Sequence, residues 1–185
     1  MTHAQSSSGT SNAQIRLFDR LSELGIKAPT VDYPAHQSID EGKALRGSMA
    51  GTFTKNLLLK DKKGRHFLLC VHEDRQLALK TLHKRLGARG QLAFASGKSV
   101  MEYLGVAPGA LTPLGLINDA AVAVTAVIDS QLMDAAQVNF HPLVNTRSTG
   151  VHPDDLVRFI RSCGREPLII DFDDVAVNSS TEQDE

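Results

Sequence analysis

The sequence predicts an α/β (α+β) domain built on a mixed β-sheet, and three features carry that expectation. Strand-like and helix-like segments are interspersed along most of the 185 residues, the order that produces sheets covered by helices. Phe53 to Leu59 and Arg65 to Val71 both have strand composition, and the turn Asp61-Lys62-Lys63-Gly64 between them makes an antiparallel hairpin, with Gly64 available for a positive φ. Ala121 to Ile128 is instead an unbroken run of small apolar and β-branched residues, as expected of a strand buried on both faces. A hairpin together with such a strand favours a mixed sheet over a doubly wound parallel one.

Local chemistry sets the remaining elements. After Asn12, the residues Ile15, Leu17, Phe18, Leu21 and Leu24 recur mainly at helical spacing, and Gly25 is a natural stop. Val31 to Tyr33, ahead of Pro34, reads as a short strand. Ser38-Ile39-Asp40-Glu41 fits a capping box with Ser38 at the N-cap, opening a short helix that ends near Leu45. Gly47 and Gly51 bracket a flexible link into the hairpin. Beyond the hairpin, Gln76 to Leu86 is amphipathic, with Leu77, Leu79, Leu82 and Leu86 apolar against Lys80, Lys84 and Arg85, and Gly87 ends it. Leu92 to Ala95 reads as a short strand and Ser99 to Leu104 as a short helix stopped by Gly105. The Gly/Pro-rich connection from Gly105 to Gly115 is too apolar for an ordinary solvent loop. Val138 to Leu143 is a further strand candidate. His152-Pro153-Asp154-Asp155 opens a helix with Pro at N1 and acids in the first turn, continuing through Leu156, Phe159 and Ile160. Leu168 to Ile170 makes the last strand, and no internal repeat is present.

A mass of 20.0 kDa suits one domain, and 42% hydrophobic residues supply enough apolar mass for a core, which excludes disorder throughout. That domain is expected at 13–174, between a Ser-rich tail at 1–12 and an acidic tail at 175–185, both expected to be disordered. No apolar run approaches the roughly 20 residues of a membrane span, so no membrane partner is expected. Met1 to Asn12 lacks the apolar stretch of a secretory signal. Cys70 and Cys163 form neither a disulfide framework nor a CxxC pair. Cys70, within Phe67-Leu68-Leu69-Cys70-Val71, reads as a small buried hydrophobe rather than a nucleophile. A reducing cytoplasm is the expected compartment.

Near-neutral totals conceal an asymmetry. Glu41 to Gly90 holds 12 Lys/Arg against four Asp/Glu, a net of +8, and the rest of the chain is therefore −9 within an overall charge of −1. Such a stretch can meet a phosphate backbone without a basic pI. On charge alone it reads as a solvated helix face and a Lys-rich turn.

Most catalytic signatures are absent: no GxSxG elbow, phosphate-binding GxxxxGK[ST] loop, GxGxxG turn or HExxH pair occurs. The seven histidines show no metal-ligand spacing, so neither a metal nor a cofactor is expected. Three features remain. Thr54-Lys55-Asn56 starts a strand that is otherwise apolar, so Lys55 is either a snorkelling surface charge or a cation held at a cleft mouth. Gly109-Ala110-Leu111-Thr112-Pro113 is a tight bend whose backbone groups either only turn the chain or orient a water or an oxyanion. His141, in Phe140-His141-Pro142-Leu143-Val144-Asn145, is either a hydrogen-bonded core histidine or an acid/base or positioning group.

Taken together, Lys55-Asn56-Leu57-Leu58-Leu59-Lys60-Asp61-Lys62-Lys63-Gly64, then Gly109 to Pro113 followed by Leu114-Gly115-Leu116-Ile117-Asn118-Asp119, then Phe140 to Thr146, resemble the bacterial prolyl-tRNA editing family. These proteins are free-standing relatives of the editing domain inserted in bacterial prolyl-tRNA synthetase. The resemblance spans Ile15 to Asp173 and is most specific to the trans-editing Ala-tRNA(Pro) deacylases. It implies that residues 13–174 form a single aminoacyl-tRNA editing domain with a partly barrel-like mixed sheet surrounded by helices. The pattern departs at Arg147, where a small residue of the pocket wall is expected.

The resemblance further implies a hydrolase that removes alanine wrongly esterified to tRNA(Pro). Alanine is smaller than proline, and missing methylenes provide only about 1–3 kcal/mol of discrimination, so a second, smaller site removes the error. In such enzymes the 2′-OH of the terminal adenosine and a bound water do the reactive work. By position, Lys55 would hold the terminal phosphate or the aminoacyl carbonyl. Gly109 to Pro113 would present backbone groups, with Pro113 stiffening the turn, and His141 would orient ribose or water. Thr54, Asn56, Met49 and Asn145 would contact substrate. The partner implied is mischarged tRNA(Pro), with prolyl-tRNA synthetase and elongation factor as further candidates. Deacylation of Cys- or Ser-charged tRNA, set by pocket residues between Ser38 and Thr54, and a non-catalytic tRNA 3′-end binding module are the alternatives.

Overall fold

A helix that buries Leu17 and Leu21 opens the structure, a computed structural model that describes residues 11–34, 39–47 and 49–173. Residues 1–10 of the tail expected at 1–12, Ser38 as an N-cap and the acidic tail expected at 175–185 lie outside the described residues, whereas Ser11 and Asn12 begin the first helix. Helix α1 (Asn12–Glu23) is fixed by a capping box in which the Ser11 side chain accepts from the Gln14 amide. The chain continues as β1 (Thr30–Asp32), α2 (Ile39–Arg46), β2 (Thr52–Lys60), β3 (His66–His72), α3 (Leu79–Arg85), β4 (Ala93–Phe94) and α4 (Gly97–Leu104). Two 3-10 turns, Pro108–Ala110 and Pro113–Asn118, occupy the apolar Gly/Pro connection. Then come β5 (Val124–Asp129), α5 (Ser130–Met133), β6 (Val138–Phe140), β7 (Arg147–Val151), α6 (Pro153–Ser162) and β8 (Leu168–Ile170).

The eight strands form one mixed sheet in the order β1-β7-β6-β2-β3-β5-β8, with β4 paired to β2. β2 and β3 are the expected hairpin, antiparallel from Thr54↔His72 to Lys60↔His66. β5 lies parallel to both β3 and β8. Alternation along the strands sends side chains to two apolar layers. Leu58, Leu68, Cys70, Ala126 and Ile128 pack with α1, α4 and α6, whereas Leu59, Phe67, Leu69 and Val127 pack with Leu82 and Leu86 around α3. β5 is thus buried on both faces, as its composition predicts, and Cys70 is a core residue. No helix among the described residues is long and apolar enough to cross a membrane.

Several elements differ from the expectation. The strand expected from Ala121 starts only at Val124, because exposed Val122 turns the chain at φ 53°. The strand predicted to reach Leu143 stops at Phe140: Pro142 has no amide to donate to a ladder, and Leu143 turns the chain at φ 68°. β7 has no apolar alternation to announce it, because its buried Thr149 is satisfied by a 2.7 Å contact between its hydroxyl and that of Thr30. α3 starts at Leu79 rather than Gln76 and has no side-chain cap.

The pairing of β2 positions the site. Its first residues pair with β6 (Thr52↔Val138, Phe53↔Asn139), and its last with β4 (Leu59↔Phe94, Lys60↔Ala93). Between those two short neighbours, residues 54–56 have β3 on one flank and no strand on the other. That interruption is where Thr54, Lys55 and Asn56 sit.

Candidate active site

At the interrupted flank of β2 lies a cavity of about 110 Å³. Thr54, Lys55 and Asn56 of β2 line it, with Tyr33 following β1, Asn139 and Phe140 of β6, His141 just beyond and Ser148 of β7. Arg46, Phe53 and Glu73 complete the wall. The Arg46 guanidinium stacks 3.7 Å over the Phe53 ring and donates to Glu73 Oε2 at 2.9 and 3.0 Å, joining the end of α2 to the end of β3.

Side chains replace the missing strand ladder. Thr54 Oγ1 donates to the Asn139 carbonyl at 3.1 Å, and Asn56 Nδ2 donates to the Leu111 carbonyl at 3.0 Å. The second bond ties the Gly109 to Pro113 bend to β2, next to the cavity. It also fixes the amide's orientation, leaving Asn56 Oδ1 buried without a hydrogen-bond partner among the described residues. The Lys55 ammonium donates to the main-chain carbonyl of Arg75, in the turn after β3. An ammonium has three donors, and this bond uses one of them.

His141 is half-buried and its proton is placed by chemistry. Nδ1 lies 3.0 Å from the Arg147 carbonyl, which can only accept, so Nδ1 carries a hydrogen. The Tyr33 hydroxyl donates to the same carbonyl at 3.0 Å. Burial pushes the Tyr33 phenol above its usual pKa, partly countered by a hydrogen bond with Ser148 and the charge of Arg46. The turn that carries His141 is held from behind by Gln14 Nε2, which donates to the Pro142 carbonyl at 3.1 Å.

The structure therefore brings Thr54, Lys55, Asn56 and His141 to one cavity. Gly109 and Pro113 sit on the bend beside it and do not line it; Pro113 is buried at the start of the second 3-10 turn. A Cβ on Gly109 would lie 3.7 Å from Asn145 Nδ2, which places Asn145 against the bend rather than on the wall. Met49 is half-buried in the link after α2, its amide donating to the Arg46 carbonyl at 3.1 Å, and it too is not a lining residue. Arg147, unexpected in a pocket wall, turns its guanidinium to Asp32 at 2.5 Å and over Phe18, so only its carbonyl serves the site. Tyr33, Arg46, Glu73, Asn139 and Ser148 are lining residues that the sequence reading does not single out. The signal available for Asn139 is a polar residue inside an otherwise apolar strand.

The basic stretch divides in two. Lys43, Arg46, Arg65 and Arg75 are engaged with Asp74, Glu73, Asp61 and Asp129, whereas Lys60, Lys62, Lys63, Lys80, Lys84 and Arg89 are exposed. Cys70 is fully buried and its thiol is pushed well above the usual range by burial, which leaves no thiolate. Among the described residues no group of three His, Cys, Asp or Glu is placed to hold a metal ion.

Residues 34–159 match the family model of the aminoacyl-tRNA editing domain. "Prolyl-tRNA synthetase associated domain-containing protein 1" of Danio rerio is 39% identical over 159 residues, covering 85% of this chain and 86% of its own. "Prolyl-tRNA editing protein ProX" of Acetoanaerobium sticklandii is 30% identical over 154 residues, covering 83% and 93%. A crystal structure provisionally described as a trans-editing enzyme for prolyl tRNA synthetase superposes with a TM-score of 0.64 at 21% identity, covering 88% of this chain and 98% of its own, a likeness of fold.

Proposed function

Because the chain belongs to the aminoacyl-tRNA editing domain family, we propose that it hydrolyses the ester linking a wrong amino acid to tRNA(Pro), with alanyl-tRNA(Pro) as the substrate. One observation supports this reading above the others: Lys55, Asn56 and His141, far apart in sequence, line one small cavity to which the Leu111 carbonyl of the Gly109 to Pro113 bend is bonded. At about 110 Å³ the cavity is far below the roughly 300–1,000 Å³ of drug-sized ligand pockets and suits a methyl-bearing aminoacyl group.

The chemistry follows from the available groups. The attacking oxygen is assigned to water, with the substrate's own 2′-OH assisting, as the family resemblance implies. Lys55 supplies a positive charge to the terminal phosphate or the ester carbonyl, stabilising the negative charge that develops there. His141, held through Nδ1 against the Arg147 carbonyl, orients the ribose or the water. Asn56 Oδ1 accepts a further donor, which the substrate's α-amino group can supply. The exposed lysines and Arg89 provide phosphate contacts for an acceptor stem. The partner is mischarged tRNA(Pro), met in the cytoplasm.

Lys55→Ala tests the assignment. Purified variant with unchanged circular dichroism should lose deacylation of Ala-tRNA(Pro) by about 100-fold or more, the scale of removing one charge-stabilising donor. Deacylation at the parental rate would remove Lys55 from the mechanism.

A further inference from the structure

Lys55 carries its charge on a flexible four-carbon stem, and what holds that charge in place is the turn after β3. We propose that Arg75 is a positioning residue for Lys55, presenting its main-chain carbonyl to the ammonium while Asp129 and Asp173 clamp its guanidinium. The inference rests on the reading of Lys55 given above and adds residues outside the cavity wall.

The clamp is unusually complete for a residue in a turn. Arg75 Nε and Nη2 reach the two oxygens of Asp129 at 2.7 and 3.2 Å, a forked pair that fixes direction as well as distance. Nη2 also meets Gln131 Oε1 at 2.8 Å and Asp173 Oδ2 at 3.0 Å, and Nη1 bonds Asp173 Oδ1. The Arg75 side chain is 8% exposed and that of Asp129 is 0% exposed. This guanidinium is thereby withdrawn from any role in meeting nucleic-acid phosphate.

Asp129 is itself held on several sides. It ends β5, pairs in register with Ile170 of β8, and accepts from the Gln131 amide at 3.2 Å to cap α5. A chain of bonds therefore runs from the end of β5 through Asp129 and Arg75 to the carbonyl that receives Lys55. A buried ion pair contributes little net stability compared with apolar packing; its value here is geometric. Arg75 and Asp129 are both absent from the cavity lining, so they act through Lys55 and not on substrate.

A double-mutant cycle on deacylation separates positioning from general support. Asp129→Asn keeps the oxygen that caps α5 and removes the charge. It should lower kcat by on the order of 10- to 100-fold, as expected for a displaced catalytic group, with KM changed much less. In a Lys55→Ala background the same substitution should change the rate by no more than about twofold, because its target is gone. An equal loss in both backgrounds would overturn the proposal. Reductive methylation of the intact protein, read by mass spectrometry, reports the same geometry without turnover. Lys55 should react several-fold faster in Asp129→Asn and, to a smaller degree, in Asp173→Ala, whose side chain is 74% exposed and outside the core. Exposed Lys60 is the internal reference. Unchanged Lys55 reactivity in both variants would also overturn the clamp. If Lys55→Ala retains parental deacylation, the functional reading falls, and the methylation rates still decide whether Arg75 holds Lys55.

Discussion

Single residues here do several tasks through few atoms. Asp61 closes the β2–β3 turn by accepting from the Lys63 amide at 2.8 Å, the Arg65 amide at 3.0 Å, Arg65 Nε at 2.8 Å and the Arg89 amide at 2.9 Å. Burial raises its pKa, but those four donors lower it more, and the carboxyl ends far below its usual value. A depressed folded-state pKa contributes stability above the unfolded value near 4 and loses it as pH falls toward the folded value. Urea midpoints should therefore decline as pH falls below about 4, and Asp61→Asn should flatten that decline. Asn56 is the counterpart in the site. Asn56→Ala deletes the bond to Leu111 and the buried acceptor, and should cost about 1–2 kcal/mol of stability, measured by denaturant unfolding, together with much of the deacylation rate.

At the scale of elements, the site exists because β2 outlasts its neighbours. The hairpin is legible in the sequence, since strand composition, turn chemistry and Gly64 agree. β5 is legible as well, from Val124, Ala126 and Ile128 on one face and Val127 on the other. The short length of β6 and the existence of β7 are not. Arg147, Ser148, Thr149 and Gly150 carry no apolar period, and their burial depends on partners distant in sequence, such as Thr30 and Gln137. The link into β2 makes a sharper prediction. Gly51 has φ +100°, and a Cβ there would stand 2.8 Å from Asn139 Nδ2 and 2.9 Å from the Gln137 carbonyl. Gly51→Ala should destabilise the fold by about 1–3 kcal/mol and displace Asn139 from the cavity wall, which thermal unfolding and deacylation rates would register together.

For the whole molecule, the charge asymmetry seen along the chain becomes a division of labour. Lys43, Arg46, Arg65 and Arg75 are committed to internal pairs, whereas the exposed lysines and Arg89 are the cations that the proposed function assigns to a phosphate backbone. Affinity for tRNA should accordingly fall steeply between about 50 and 200 mM salt, and Lys62→Ala with Lys63→Ala should reduce that slope by about two. Composition alone could not separate the two groups of cations, because pairing such as Arg75 with Asp129 joins residues 54 positions apart. Lys55, Asn56 and His141, far apart in sequence, line one cavity. Gly109 and Pro113 stand one layer back, on the bend whose Leu111 carbonyl accepts from Asn56. The most direct measurement of the central claim is parallel deacylation of Ala-, Cys-, Ser- and Pro-charged tRNA(Pro) by the purified protein. A cavity suited to a methyl group predicts fastest release of alanine and negligible release of proline. Release of proline as fast as alanine, or no release from any of the four, would contradict it.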